Sequence, residues 1–220
     1  MLRVTAKFFS IIFHPLLILT YMLILLLLVN PYLFGVNSIR AQTLLILLIF
    51  LSTFLLPAIS VSMMKALGMV ESFELKDKQE RIGPYIITGI FYMWIFINFK
   101  NNSQIPVAFT TFVLGSTIAL FIAFFLNIFS KISAHAVGMG GLIGMVTILM
   151  LLYDYHSFAF EIPFVGSMEM SLNTLLMLII LLAGIVGSSR LLLKAHEPVQ
   201  IYSGYIVGFS AQFFALFALF

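Results

Sequence analysis

The chain has 220 residues, 62% of them hydrophobic and only 9% charged, with a mean hydropathy of +1.17. Soluble domains carry about 25% charged residues, so this chain cannot cover a water-facing surface. A net charge of +3 is too small to argue for a nucleic-acid partner, and the absence of cysteine excludes disulfides and thiolate metal sites.

Polar residues fall in short clusters between apolar runs, and a run of about 20 residues suffices to cross a bilayer. The first run, 8–29, follows Arg3 and Lys7 and stops at Asn30-Pro31. It is too long for a signal-peptide core and lacks a small-x-small cleavage site, so it reads as a retained span. The second, 41–64, ends at Lys65. A dense charge cluster fills 71–81. The third, 84–99, is short, and with the fourth, 105–129, it forms a hairpin that is either two crossings or a re-entrant pair. The fifth is 135–153; a semi-polar loop, 154–170, precedes the sixth, 172–193. The seventh, 199–220, starts after Pro198 in the first-turn position. The expectation is a single all-α domain over 1–220, a polytopic bundle of six to seven spans in a bacterial plasma membrane.

Alternation of crossings puts the N-terminus, 65–83, 130–134 and 190–197 on one face, and 30–40, 100–104 and 154–170 on the other. The first face holds nine of the eleven lysines and arginines; Arg40 and Lys100 are on the second. By the positive-inside rule the first face is cytoplasmic. Gly140/Gly144, Gly204/Gly208 and Gly184/Ser188, each four apart, let helix backbones approach in lipid and would set spans five and seven side by side.

Three polar clusters lie at the ends of spans on the first face. One runs Lys76-Asp77-Lys78-Gln79-Glu80-Arg81-Ile82-Gly83-Pro84. The next is Lys131-Ile132-Ser133-Ala134-His135. The last reads Ser189-Arg190, five residues, His196, three residues, Gln200, then Ile201-Tyr202-Ser203-Gly204-Tyr205. Residues of these types suit a bound phosphate. A phosphate monoester carries about two negative charges, and its transfer needs those charges held and neutralised. Arginine does this by bidentate hydrogen bonds.

The ordered set, over 74–208, resembles the type-2 phosphatidic acid phosphatase superfamily. Its patterns are a Lys-x6-Arg-Pro, a Pro-Ser-Gly-His and a Ser-Arg-x5-His-x3-Asp. The resemblance implies that His196 is the nucleophile, forming a phosphohistidine, and that His135 protonates the leaving alcohol. It implies that Arg81, Arg190, Ser133 and a lysine (Lys78, with Lys76 the alternative) bind the substrate phosphate, with no metal and no cofactor. It also implies a site on the outer face, against the charge count. The partners expected are a lipid phosphate substrate and membrane lipids. The departures are Ile132 and Ala134 in the second cluster, the spacing of the first, and Gln200 where the family has a carboxylate. Gln200, one helical turn beyond His196, can accept the imidazole N–H and orient the ring, but it brings no negative charge. Three functions follow: a lipid-phosphate phosphatase, an inactive scaffold or lipid-binding subunit, and a phosphotransferase that passes the group to another alcohol.

Lys65, Lys131, Arg3 and Lys7 read as membrane-edge residues. His14, before Pro15, reads as structural. Asp154, His156 and Glu161 fit no metal-ligand spacing.

Overall fold

A computed structural model of the protein describes residues 2–75, 77–152, 157–162 and 166–219. Among these residues, seven helical segments are long and apolar enough to cross a membrane: Leu2–Val29, Pro31–Ala66, Ile82–Lys100, Val107–Phe129, Ala134–Leu152, Leu172–Leu192 and Pro198–Leu219. Lys76, Asp154 and His156 lie outside the described residues.

The first span is not one straight helix. It divides into α1 (Leu2–Ile12) and α2 (Ile18–Val29), joined by a 3₁₀ turn, Pro15–Leu17. Pro15 pushes the residue before it out of the α region, and His14 is extended at φ −62°, ψ 135°. Its Nδ1 accepts the Leu16 N–H at 3.4 Å and caps the turn. The second span has its own irregularity, a π-helical turn at Leu51–Leu55 between α3 (Thr43–Phe50) and α4 (Leu56–Ala66). Pro57 offers no N–H to Thr53, and its ring would strike that carbonyl in a regular turn. The helix therefore widens just before it, and the Leu56 N–H reaches back to the Leu51 carbonyl.

The hairpin 84–129 becomes α5 (Ile82–Lys100, 19 residues) and α6 (Val107–Phe129, 23 residues). At 1.5 Å per residue, α5 is about 28 Å long, close to the hydrocarbon thickness. α7 (Ala134–Leu152), α8 (Leu172–Leu192) and α9 (Pro198–Leu219) complete the bundle. The loop expected at 154–170 departs from the all-α reading. It contains an antiparallel hairpin, β1 (Ser157–Ile162) paired with β2 (Gly166–Ser171), with Phe160 opposite Met168. The alternation in Ser-Phe-Ala-Phe and Ser-Met-Glu-Met-Ser is a strand pattern. Ser157 Oγ bonds Glu169 across it, and β1 rests on α2.

α7 is the centre: 61% of its most apolar window is buried, against at most 39% for any other span. It lies against α9 with backbones in contact. A Cβ added at Gly208 would collide with the Val137 carbonyl, and one at Gly140 would meet Tyr205 Cα at 2.8 Å. The 140/144 and 204/208 pairs thus serve the expected close packing. Gly184 does not: nothing lies within 4 Å of where its Cβ would be.

This order of crossings gives a direct test in the cysteine-free chain. Single cysteines at exposed Gln79, Ser130 and Glu197 should label from one side of the membrane, and those at Asn37, Asn102 and Ser167 from the other. Labelling of Gln79 and Glu197 from opposite sides would break the bundle as described.

Candidate functional site

The starts of α5, α7 and α9 meet at one end of the bundle. Ser133 is fully buried. Its Oγ accepts the Ala136 N–H at 3.4 Å and caps α7. Its own N–H donates to the Gln200 carbonyl at 3.1 Å, fastening the start of α7 to the first turn of α9. Arg81, just before α5, donates from Nη1 to the Ile132 carbonyl (3.1 Å) and from Nε to the Leu75 carbonyl (2.9 Å). Leu75 sits at φ +48°, a left-handed conformation uncommon for leucine. Glu80 steadies the loop by accepting the N–H groups of Glu71 and Asp77. Burial pushes the Arg81 guanidinium below its ordinary value, and Nη2 takes part in neither carbonyl bond.

Arg190 and His196 are brought together by the way α8 ends. The Ala195 N–H bonds the Arg190 carbonyl (3.1 Å) and the Lys194 N–H bonds the Leu191 carbonyl (2.8 Å), the paired bonds of a Schellman turn. The left-handed position of that turn is usually glycine; here it is Lys194, at φ +54°. Lys194→Gly should therefore raise stability by about 1 kcal/mol, seen as a higher melting temperature in detergent. A fall in melting temperature would mean that the lysine side chain holds the turn.

His196 is buried, and its Nδ1 lies 2.9 Å from Gln200 Oε1. The Glu197 backbone N–H also points at that oxygen, at 3.4 Å. A backbone N–H can only donate, so the amide oxygen faces the ring and Nδ1 carries the hydrogen. Nε2 is left with its lone pair. Burial is the largest cause lowering the His196 pKa to about 4; the Gln200 bond opposes it, and the charges of Arg81, Arg190 and Lys131, each a smaller effect, add to the lowering. The imidazole is neutral at physiological pH.

His135, in the first turn of α7, lies with Nε2 3.0 Å from the Ser10 carbonyl. A carbonyl only accepts, so Nε2 carries the hydrogen and Nδ1 is the nitrogen open to a proton. The ring of His14 stands edge-on to that of His135 at 5.7 Å. Arg190 Nη1 donates to Ser10 Oγ at 3.4 Å, and Arg190 Nε is buried without a hydrogen-bond partner.

Of the residues singled out in the sequence, Arg81, Ser133, His135, Arg190, His196 and Gln200 gather at this end. Lys78 does not join the arginines. It is exposed, and its Nζ bonds the Ile128 carbonyl at 3.0 Å, where a cation complements the C-terminus of α6. The Asn127 amide holds the Lys78 carbonyl in turn (2.8 Å). Lys131, read as a membrane-edge residue, is the lysine whose charge reaches His196. Ser10 and His14 join the site from the broken first span. The signal for them was a histidine inside an apolar run, an uncommon and usually functional placement. The described residues contain no group of three His, Cys, Asp or Glu that could hold a metal.

Taken together, a neutral imidazole with a free lone pair, a second histidine, two partly buried guanidinium groups and three helix N-termini suit an oxyanion and a transferable group. No protein-family model, curated protein or solved structure matches the chain.

Proposed function

We propose that the protein is a membrane phosphatase of the type-2 phosphatidic acid phosphatase kind, hydrolysing a lipid phosphate monoester through a phosphohistidine. The observation that carries this reading is the tautomer of His196: Nδ1–H donates to Gln200 Oε1 and leaves Nε2 as a nucleophile, within reach of the charges of Arg81 and Arg190. Nε2 attacks phosphorus as the bond to the alcohol oxygen breaks. The alcohol leaves with a proton from His135 Nδ1, which must first take that proton up from solvent or from the monoanionic substrate while Nε2–H stays on the Ser10 carbonyl. Water then attacks the phosphohistidine and gives a proton back to His135, and the N–P bond breaks to release inorganic phosphate and restore Nε2. Arg81, Arg190 and the N-termini of α7 and α9 neutralise the transferring group, whose charge changes little through the reaction. Water as acceptor makes a phosphatase; a second alcohol would make a phosphotransferase.

The test is phosphate release by purified protein from a panel of phosphatidate, phosphatidylglycerol phosphate and polyprenyl phosphate, run beside Arg190→Ala. Turnover of at least one lipid is expected, with a loss of about 10²–10³ in the variant, as for removal of one oxyanion donor. A second reading has one observation behind it: with Lys78 bonded to α6 and an amide rather than a carboxylate on His196, the site keeps its two arginines and departs from the resemblance at one phosphate-binding lysine and at the carboxylate. Binding of lipid phosphate with no turnover across the panel would establish that reading, a lipid-binding subunit, in place of the enzyme.

A further inference from the structure

A groove of about 360 Å³ runs between α1 and α8. Thr5, Ala6 and Phe9 form one wall; Gly184, Ser188 and Ser189 form the other. These are the helices that carry Ser10 and Arg190, which hydrogen-bond each other. The α1 wall stops at Phe9, one residue before Ser10, and the α8 wall runs past Arg190 to Leu192, with Ser189 the lining residue beside the arginine. The small pair Gly184 and Ser188 keeps it open: Gly184 meets nothing within 4 Å of its missing Cβ, and Ser188 is exposed. Small residues in lipid-facing helices ordinarily close a helix contact. Here they hold a space.

A second groove of about the same volume lies between α5 and α6, walled by Tyr85, Met93, Trp94, Phe121 and Phe124. It too points toward an arginine, since Tyr85 lies one turn beyond Arg81. The two differ in what waits at the end. Arg81 is tied to two backbone carbonyls, whereas Arg190 keeps a buried Nε with no partner. The charge of Glu74 reaches Arg190, yet Nε keeps no hydrogen-bond acceptor, and a buried guanidinium N–H calls for one.

We propose that the α1–α8 groove holds the hydrocarbon chain of a lipid whose phosphate is bound by Arg190, so that substrate reaches His196 sideways from the bilayer rather than from water. The inference rests on the phosphate site proposed above and adds where the chain lies. Charge complementarity fixes the head at Arg190, and the apolar walls then place the tail along α1.

The experiment uses the full chain in nanodiscs with a non-hydrolysable phosphonate analogue of phosphatidate carrying a diazirine in its acyl chain. A phosphatidylcholine probe with the same chain reports bulk lipid. After irradiation, adducts mapped by mass spectrometry should be several-fold more abundant on α1 and α8 with the phosphonate than with the choline lipid. Excess unlabelled phosphatidate should suppress that difference, and Arg190→Ala should abolish it. Gly184→Phe, at a position with room for a side chain, and Ser188→Leu should each reduce it several-fold. If the phosphonate excess falls on Tyr85, Trp94 and Phe121 instead, the groove assignment is overturned and the phosphate site stands. If the phosphonate labels no position more than the choline lipid does, both fall. An excess on α1 and α8 that Gly184→Phe and Ser188→Leu both leave intact would also overturn the groove.

Discussion

On the proposed phosphohistidine route, His196→Ala should reduce phosphate release by at least about 10³-fold, because it would remove the atom that forms the intermediate. The wild type should also show an acid limb in kcat/KM near pH 4. This follows from the sign of the shift. His196 is a base whose folded value, about 4, lies below the ordinary 6.5, so the nucleophile stays unprotonated down to that pH. The same shift gives a stability window. The folded state binds fewer protons than the unfolded chain between pH 6.5 and 4. The contribution is therefore full above 6.5 and is lost as pH falls toward 4. An acid limb near 6.5, or wild-type rates in His196→Ala, would remove His196 from the role assigned to it.

Gln200→Glu is expected to move both turnover and the pH profile. Glutamate has the reach of glutamine, so its carboxylate can occupy the place of Oε1, 2.9 Å from Nδ1. It adds the charge that glutamine lacks. A carboxylate beside the ring favours the imidazolium, so the acid limb should rise above pH 4. Turnover should rise with it if the missing charge limits the wild type. The loss on removing the carboxylate from a serine-protease triad, about 10⁴-fold, sets the upper scale. Gln200→Asp is one methylene shorter and should gain less. If both acids lower the rate of an active wild type, Gln200 is a working orienter and the positive charge of the ring is balanced by the bound phosphate. If neither the rate nor the limb moves, the His196–Gln200 bond is not made in solution.

Much of this was legible in the sequence because apolar length is a strong signal in lipid. The ends of α6, α7 and α8 fall within a few residues of the runs read from composition. Three features escaped for physical reasons. The break at His14-Pro15 lies inside an unbroken apolar run, where hydropathy is blind to a kink. The π turn before Pro57 is a backbone accommodation that leaves no mark in composition. The hairpin in 157–171 is short, and its period-2 pattern is split between two runs of six residues. The site was partly legible for a different reason. His196 and Gln200 are one turn apart on the same helix face, so their contact is local and follows from spacing. Ser10 and His135 are 125 positions apart, and only the fold brings them together. That the charge of Lys131 reaches His196 while Lys78 bonds the end of α6 was not legible, because charge alone does not say which helix end a flexible lysine serves.

The contact between α7 and α9 makes one jaw of a vice that cannot open. Gly140 and Gly208 bring the two backbones together, and Ser133 pins their starts, so the helices that carry His135 and His196 form one rigid block. The spacing of the two imidazoles is fixed when the bundle assembles. Movement that admits or releases a ligand would then fall to the elements around that block, among them α1, which is joined to the next helix by a proline turn. Because Ser10 lies on α1, each opening there would also unclamp His135 and Arg190. Access and readiness for chemistry would then be one motion.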